Sequence, residues 1–339
     1  MPYELPPDPS AARRARITSW VSFAFAAVLV ALLAYFGYVG FEGSRQLTAH
    51  PGPSTDCRTP AALGWAYEAI NYDPADDTDA CSATDASVGD VLTGPGDVGL
   101  AGWYIPSANG AGPAAPTVVL AHGWGSNKSA MLERAAMLHD AYNLVLFDFR
   151  NHGQSETALT TQGIRESGDL LAVLDWLEST KGPDEVAVLG VSMGGATAAY
   201  AAARDERIDA LILESTHATL ANAAQARIEA AGYPLALPGS WAVLLGSLVR
   251  TGEDVSGADP LQAMDHLDGR PVLIVTGSDD GSIGPSDATE LAAAAEAAGS
   301  PTELRVCEAA GHARSPEVCE EDYAAWVLGF LERVIGPQT

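Results

Sequence analysis

Positive charge is scarce in this chain: its 339 residues carry 18 lysines and arginines against 44 aspartates and glutamates, a formal net charge of -26. No Lys/Arg-rich stripe runs through the body of the protein, which excludes a nucleic-acid partner, because the phosphates would be repelled. An acidic surface of this kind signals solubility or an exposed, salty environment rather than a specific partner. Cysteine is also sparse. The four, Cys57, Cys81, Cys307 and Cys319, form an even set outside the one long apolar run. Neighbourhood in sequence suggests Cys57 with Cys81 and Cys307 with Cys319, bridges that need an oxidising compartment. Four cysteines admit three pairings, and unrelated core thiols are the alternative. There is no internal repeat. The acidic stretch from Asn71 to Asp90, with Asp73, Asp76, Asp77, Asp79 and Asp85, lacks the glycine and final glutamate of an EF-hand loop, so it reads as a solvated loop and no metal is expected.

What the chain does have at its N-terminus is an apolar run without charge from Ile17 to Phe41, which as a helix more than covers a hydrocarbon core of roughly 30 Å. A cleaved signal peptide has a shorter apolar region, about 7 to 15 residues, followed by a small-x-small site, and no clean site follows here. Arg13, Arg14 and Arg16 precede the run, so the positive-inside tendency keeps the short tail in the cytoplasm and exports the rest. The expected organisation is a cytoplasmic tail over 1–16, a transmembrane anchor over 17–41, an extracellular tether and N-terminal extension over 42–87, and a folded domain over 88–339. The protein is thus expected in the cell membrane, single-pass, with its large domain outside. Gly43 to Pro60, mixing glycine, proline and polar residues, reads as a tether that lifts the domain off the bilayer.

From Val88 the pattern becomes strands and then alternating strands and helices. Val98–Ile105, Thr117–Ala121, Leu144–Phe147, Glu185–Leu189, Ala210–Leu213, Pro271–Thr276 and Glu303–Val306 read as strands. Asn127–Asp140, Gly163–Thr180, Met193–Arg204, Pro285–Ala298 and Glu317–Val334 read as helices. Near-continuous apolar strands alternating with helices specify an α/β fold with a mostly parallel sheet covered on both faces. The alternation breaks in an insert at 216–270. There an alanine-rich segment, an interruption at Pro234 and Pro238, and an apolar stretch around Trp241 and Leu244 read as a small helical lid; the apolar stretch lines an acyl pocket, rests on the membrane or is core, and lining with packing is the favoured reading.

Gly190-Val191-Ser192-Met193-Gly194 follows a valine-rich strand and opens an alanine-rich helix. This is the order a nucleophile elbow requires, with Ser192 at the apex of a tight turn and its hydroxyl free above the sheet. A serine hydroxyl needs a base to take its proton and a third group to hold that base. The acid candidates are the neighbours Asp279 and Asp280 after the Pro271–Thr276 strand. The base candidate is His312, after the last strand and behind Gly311. These positions lie at the carboxyl ends of strands, where ligands and catalytic groups gather in open α/β sheets. The other six histidines sit in the tether, on a helix, past a strand, in the insert or in glycine turns, and read as structural or surface residues. A developing oxyanion needs donors, and the fold supplies one backbone N–H from the glycine turn His122-Gly123-Trp124-Gly125 and one from the residue after the nucleophile, here Trp124 and Met193.

Together, His122-Gly123-Trp124-Gly125-Ser126-Asn127, Phe147-Asp148-Phe149-Arg150-Asn151-His152-Gly153-Gln154-Ser155, the Ser192 elbow, Gly277 to Pro285 and Gly311-His312-Ala313 resemble the α/β-hydrolase superfamily of serine hydrolases. The likeness covers about Val88 to Val334 and is greatest to a membrane-anchored bacterial esterase-like branch grouped with serine aminopeptidases. The resemblance implies an α/β-hydrolase fold and a triad of Ser192, Asp280 and His312. In similar proteins the acid falls three residues after the glycine, which favours Asp280, and the positions of Asp148, Arg150 and His152 are structural. The valine-proline pair usual after the acid is replaced by Ile283-Gly284-Pro285. The resemblance implies hydrolysis without naming a substrate; the expected reaction is cleavage of a small-molecule or lipid-like carboxylic ester, or a thioester, without a cofactor. A peptidase, amidase or acyltransferase would use the same residues, and an envelope binding protein that has lost turnover is the reading from another class. Cys307 and Cys319 bracket His312, so a bridge between them would fix the loop that carries the base.

Overall fold

The computed structural model describes residues 9–49, 51–52, 56–70, 92–257 and 259–336. Its strands are β1 (Glu68–Ile70), β2 (Leu92–Gly94), β3 (Val98–Leu100), β4 (Gly102–Ile105), β5 (Thr117–Ala121), β6 (Asn143–Phe147), β7 (Val186–Val191), β8 (Ala210–Glu214), β9 (Val272–Gly277) and β10 (Thr302–Cys307). The helices are α1 (Pro9–Thr48), α2 (Leu132–Leu138), α3 (Ile164–Thr180), α4 (Met193–Ala202), α5 (Leu220–Ala230), α6 (Ala236–Thr251), α7 (Pro260–Ala263), α8 (Pro285–Ala297), α9 (Ser315–Val318) and α10 (Glu320–Val334).

Eight strands form one sheet in the order β1-β4-β6-β5-β7-β8-β9-β10. From β6 to β10 every pairing is parallel, while β4 runs antiparallel to β6 and β1 antiparallel to β4. The central strands are apolar on both sides because both faces are covered. On one face Val119, Val188, Leu211 and Ile274 pack with Leu170, Leu174, Ala198 and Leu291 from α3, α4 and α8. On the other, Val118, Leu120, Leu189 and Ile212 pack with Leu132 and Ala135 of α2 and with Tyr323, Val327 and Phe330 of α10.

The expected single strand Val98–Ile105 is two. Ala101 leaves the β2–β3 hairpin for the main sheet, its N–H donating to Ser155 Oγ at 2.9 Å and its carbonyl accepting from Asp148 N at 2.8 Å. The last helix is also divided, because Cys319 turns out of helical geometry (φ -118°, ψ 44°) where it bonds to Cys307. Pro238 does not interrupt the insert; it lies in the first turn of α6, where a missing N–H costs no intrahelical bond.

The largest departure concerns the tether. α1 does not stop at the expected anchor but continues unbroken through Thr48, and the stretch expected to be a loose spacer from Gly43 packs onto the domain. Gln162 Nε2 donates to Leu47 O at 2.7 Å, Thr160 N to Thr48 O at 3.1 Å, and Arg250 Nε to Ser44 Oγ at 2.9 Å. Val39 and Leu47 are buried with Ile228 and Val243 of the lid. Gly43 and Ser44 lie in a close helix crossing there, against Val243 and Gly246, rather than in a flexible spacer. Toward its N-terminus α1 is long and apolar enough to cross a membrane, and Trp20, Phe23, Phe25 and Leu33 are all exposed. The acidic stretch from Asn71 to Asp90 lies outside the described residues.

Candidate active site

β7 delivers the chain into α4 through Ser192, whose φ of 55° and ψ of -115° lie far from helix and strand geometry. Such a conformation costs on the order of 1–3 kcal/mol and persists only where the surroundings enforce it. Here Ser192 N donates to Glu214 O at 2.8 Å, while Ser192 O accepts from Gly195 N at 3.0 Å and Ala196 N at 3.1 Å. The flanking glycines are required by space. A Cβ on Gly190 would lie 2.4 Å from Gly194 O, and one on Gly194 would lie 2.2 Å from Ala121 O.

The three residues expected to act together are in one hydrogen-bonded line. Ser192 Oγ lies 3.0 Å from His312 Nε2, and Asp280 Oδ2 lies 2.8 Å from His312 Nδ1. Between the two candidate acids the structure is plain: Asp280 is buried and reaches the imidazole, whereas Asp279 is exposed and bonds to Ser278 Oγ at 3.2 Å. Asp280 Oδ1 accepts from Ser282 N and Ile283 N at 2.9 Å each, so the Ile283-Gly284-Pro285 departure leaves the acid's support in place. Burial disfavours the Asp280 charge. The His312 ring and these two amides outweigh it and hold the carboxyl below its usual range.

The loop that carries His312 is tied on several sides. Cys307 and Cys319 are disulfide-bonded around it. Ala313 N donates to Ser215 Oγ at 3.0 Å, and Arg134 Nη2 donates to Ala313 O at 2.9 Å. Arg134 is itself fixed by two 2.7 Å bonds to the buried Glu214, which also accepts from Tyr323 Oη at 2.8 Å. This buried Arg134–Glu214–Tyr323 group is absent from the sequence reading. Its members are far apart in the chain, and only the strand end of β8 at Glu214 hinted at them. Cys57 is also disulfide-bonded, and Cys81, its expected partner, lies outside the described residues. A closed loop of the His312 size implies about 3 kcal/mol in the chain-entropy model. Replacing Cys307 and Cys319 together by serine is expected to lower the melting temperature by roughly 6–12 °C for a domain of this size, with a loss of kcat. A variant unchanged in both would show that the bridge does not hold the histidine loop.

Trp124 and Met193 both border the cavity of about 340 Å³ that opens over Ser192 and His312, and the glycine turn lies against the nucleophile, with a Cβ on Gly123 placed 3.4 Å from Ser192 Cβ. Asp148, Arg150 and His152 stand away from this line. Asp148 binds Lys128 Nζ at 2.5 Å, and Arg150 forks onto Asp169 at 2.6 to 3.1 Å. His122 accepts from Phe149 N at 3.1 Å and lies 2.8 Å from Gly123 O through Nδ1. These contacts pin the loops after β5 and β6.

His217, read as structural or surface from the sequence, is buried in the cavity wall, and its Nε2 has no hydrogen-bond partner. Burial, aided by the neighbouring His312, lowers its pKa to about 4, and burial lowers that of His122 to about 3. Both rings titrate near 6.5 once unfolded, so the unfolded state binds more protons at acid pH. Their contribution is complete above about pH 6.5 and declines as pH falls, toward about 4 for His217 and about 3 for His122, by up to about 1.4 kcal/mol per pH unit for each ring. His217→Asn is therefore expected to flatten the fall in melting temperature between pH 6.5 and 4.5. A slope identical to that of the native protein would contradict this assignment.

Comparison with known proteins agrees with the fold. A family model described as alpha/beta hydrolase fold matches residues 116–242. The uncharacterized protein YfhR of Escherichia coli K12 is 33% identical over 140 residues, 40% of this chain and 49% of the relative, so the match spans about half of that protein. The uncharacterized protein Rv2307c of Mycobacterium tuberculosis is 29% identical over 226 residues, 65% of this chain and 70% of the relative. Among solved structures, the Pyrococcus furiosus esterase Pf2001 superposes with a TM-score of 0.67 at 24% identity, covering 85% of this chain and 99% of the esterase.

Proposed function

We propose, from the premise that this chain is a member of the α/β-hydrolase superfamily, that it is a serine hydrolase cleaving carboxylic esters, with thioesters as related substrates. The observation that carries the reading is the continuous line from Ser192 Oγ through both ring nitrogens of His312 to Asp280. Ser192 Oγ attacks the ester carbonyl while His312 Nε2 takes the hydroxyl proton, and the ring's positive charge is stabilised by the Asp280 carboxylate. The carbonyl oxygen becomes an oxyanion, held by the backbone N–H groups of Trp124 and Met193. Collapse of the tetrahedral species expels the alcohol, which leaves with the proton from His312. A water then repeats the sequence on the acyl-enzyme and releases the acid. Every group required is a side chain or a backbone amide, so the proposal calls for no cofactor.

The same reading places the domain outside the cell. The uncharged run Ile17 to Phe41 follows Arg13, Arg14 and Arg16, which keeps the N-terminal tail inside, and the disulfides suit an oxidising compartment. The test is to assay full-length protein in detergent on p-nitrophenyl esters of graded chain length and on peptide anilides. Ester turnover that vanishes in Ser192→Ala is expected; anilide turnover exceeding ester turnover would move the activity to amide cleavage, and hydrolysis persisting in the variant would remove Ser192 from the mechanism.

A further inference from the structure

α6 of the lid runs alongside the C-terminal end of α1 in the same direction. Tyr35 Oη donates to Pro234 O at the start of this crossing, Gly40 lies under Ala242, Gly43 under Val243, and Arg250 reaches Ser44 and Phe41 at its end. The contact is tight because three glycines form it: a Cβ would stand 2.7 Å from Ala242 O at Gly40, 2.5 Å from Val243 Cγ2 at Gly43, and 2.4 Å from Gly40 O at Gly246. Close packing of this kind fixes the lid against the helix. If Ile17 to Phe41 spans the bilayer, the first half of α6 is level with the last turns of the span. The turn before α6 and the face of α6 that is turned to solvent expose Tyr233, Leu235, Leu237, Trp241, Leu245 and Val249, each at least 45% exposed. An apolar stripe bearing tyrosine and tryptophan at that height matches the membrane interface.

Between α1 and the lid lies a second cavity of about 200 Å³, running from Tyr38 to Leu47, about 13 Å of helix axis at 1.5 Å per residue. Its walls are chiefly apolar, including Val39, Ile228, Ala231 and Val243. It adjoins the cavity over Ser192, for Leu47, Trp124, Ala224 and Arg227 border both. At this shared border the Arg227 guanidinium stands 5.0 Å from the Trp124 ring, and Trp124 Nε1 is buried without a partner.

We propose that this groove takes the acyl chain of a lipid ester directly from the leaflet on the C-terminal side of α1, delivering its carbonyl past the Trp124–Arg227 border to Ser192. The proposal rests on the serine-hydrolase reading and adds the substrate class and its route. The membrane helix is then one wall of the substrate site as well as an anchor, and a chain entering from the bilayer exchanges one apolar environment for another. The alcohol part of the ester remains on the open side of the cavity over Ser192.

Full-length protein in phosphatidylcholine vesicles, assayed on p-nitrophenyl palmitate and p-nitrophenyl butyrate, tests this. Ala231 borders the groove but not the cavity over Ser192. Ala231→Trp is expected to lower the palmitate-to-butyrate ratio of kcat/KM by at least about tenfold, the scale on which filled apolar pockets discriminate chain length. An unchanged ratio overturns the groove as the acyl site. As a second measurement, Ser192→Ala protein in vesicles is photolysed with a diazirine-bearing palmitoyl ester. Crosslinks on peptides containing Val39 to Leu47 and Ala224 to Tyr233 support the route; crosslinks confined to Trp20 to Leu33 overturn it. Failure of the underlying reading is distinguishable, because it would appear as butyrate hydrolysis that is absent or insensitive to Ser192→Ala.

Discussion

Ser192→Ala is expected to lower kcat on p-nitrophenyl butyrate by about 10⁵ to 10⁶-fold, the scale on which removal of a triad nucleophile acts. The residual rate would come from binding and the oxyanion donors alone. The substitution removes one oxygen that bonds to His312 Nε2 and leaves the packing of the elbow untouched, so the melting temperature is expected to stay within a few degrees. Ser192→Gly extends the test. The φ of 55° and ψ of -115° strain any residue with a Cβ, and glycine relieves that strain. The glycine variant is expected to be equally inactive and more stable by about 1 kcal/mol. Activity and stability thus move in opposite directions at one position, which separates a functional strain from a packing defect. A glycine variant that is less stable than the native protein would contradict the account of the elbow.

The second large effect is expected at the acid. Asp280→Asn is expected to reduce kcat by about 10³ to 10⁴-fold with little change in KM, because an amide cannot hold the imidazole in the tautomer that presents a basic Nε2 to the nucleophile. The side chain is fully buried, and its two oxygens meet His312 on one side and the Ser282 and Ile283 amides on the other. Asparagine can satisfy those amides with its oxygen only by turning its NH₂ toward Nδ1, which is the wrong polarity for the catalytic tautomer. Asp279→Asn provides the matched control, since that carboxylate is exposed and faces Ser278; its kcat is expected to stay within about twofold, as for most exposed substitutions. Equal losses at both positions would mean that the loop's charge matters rather than the Asp280–His312 bond. The depressed pKa of Asp280 adds a sign: the carboxylate persists below the ordinary range, so its protonation does not limit activity on the acid side near neutrality.

The sheet was legible because its central strands are apolar on both faces. Thr117–Ala121, Val186–Val191 and Val272–Gly277 have runs that only a strand buried between two helical layers tolerates. The elbow was legible for a local reason as well, since its two glycines answer backbone contacts within a few residues or on the adjacent strand. Asp280 and His312 follow from chain order and loop position, and residue spacing alone did not decide between Asp279 and Asp280. That decision lies in burial, which a single sequence does not display. The Arg134–Glu214–Tyr323 group was illegible because it joins α2, β8 and α10 through side chains whose sequence neighbours carry no shared pattern. Whether His217 was buried or at the surface was illegible for the same reason: nothing around a histidine past a strand says that it borders the Ser192 cavity.

The stretch after Phe41 carries the sharpest lesson. Glycines and polar residues there resemble a spacer, yet Gly43, Ser44, Leu47 and Thr48 continue a helix whose partner, α6, lies some 200 residues away, as the Arg250 to Ser44 bond at a separation of 206 shows. Glycine has opposite meanings in a free segment and at a helix crossing, and only the partner tells them apart. With that partner in view, the end of α1 is part of the wall over Ser192, through Leu47.

The most direct measurement of the central claim is peptide mapping by mass spectrometry after full-length protein is treated with a fluorophosphonate. The account predicts a single adduct per chain on Ser192, formed more slowly in Asp280→Asn and absent in Ser192→Ala. Ester hydrolysis accompanied by an adduct on another residue, or by none at all, would contradict it.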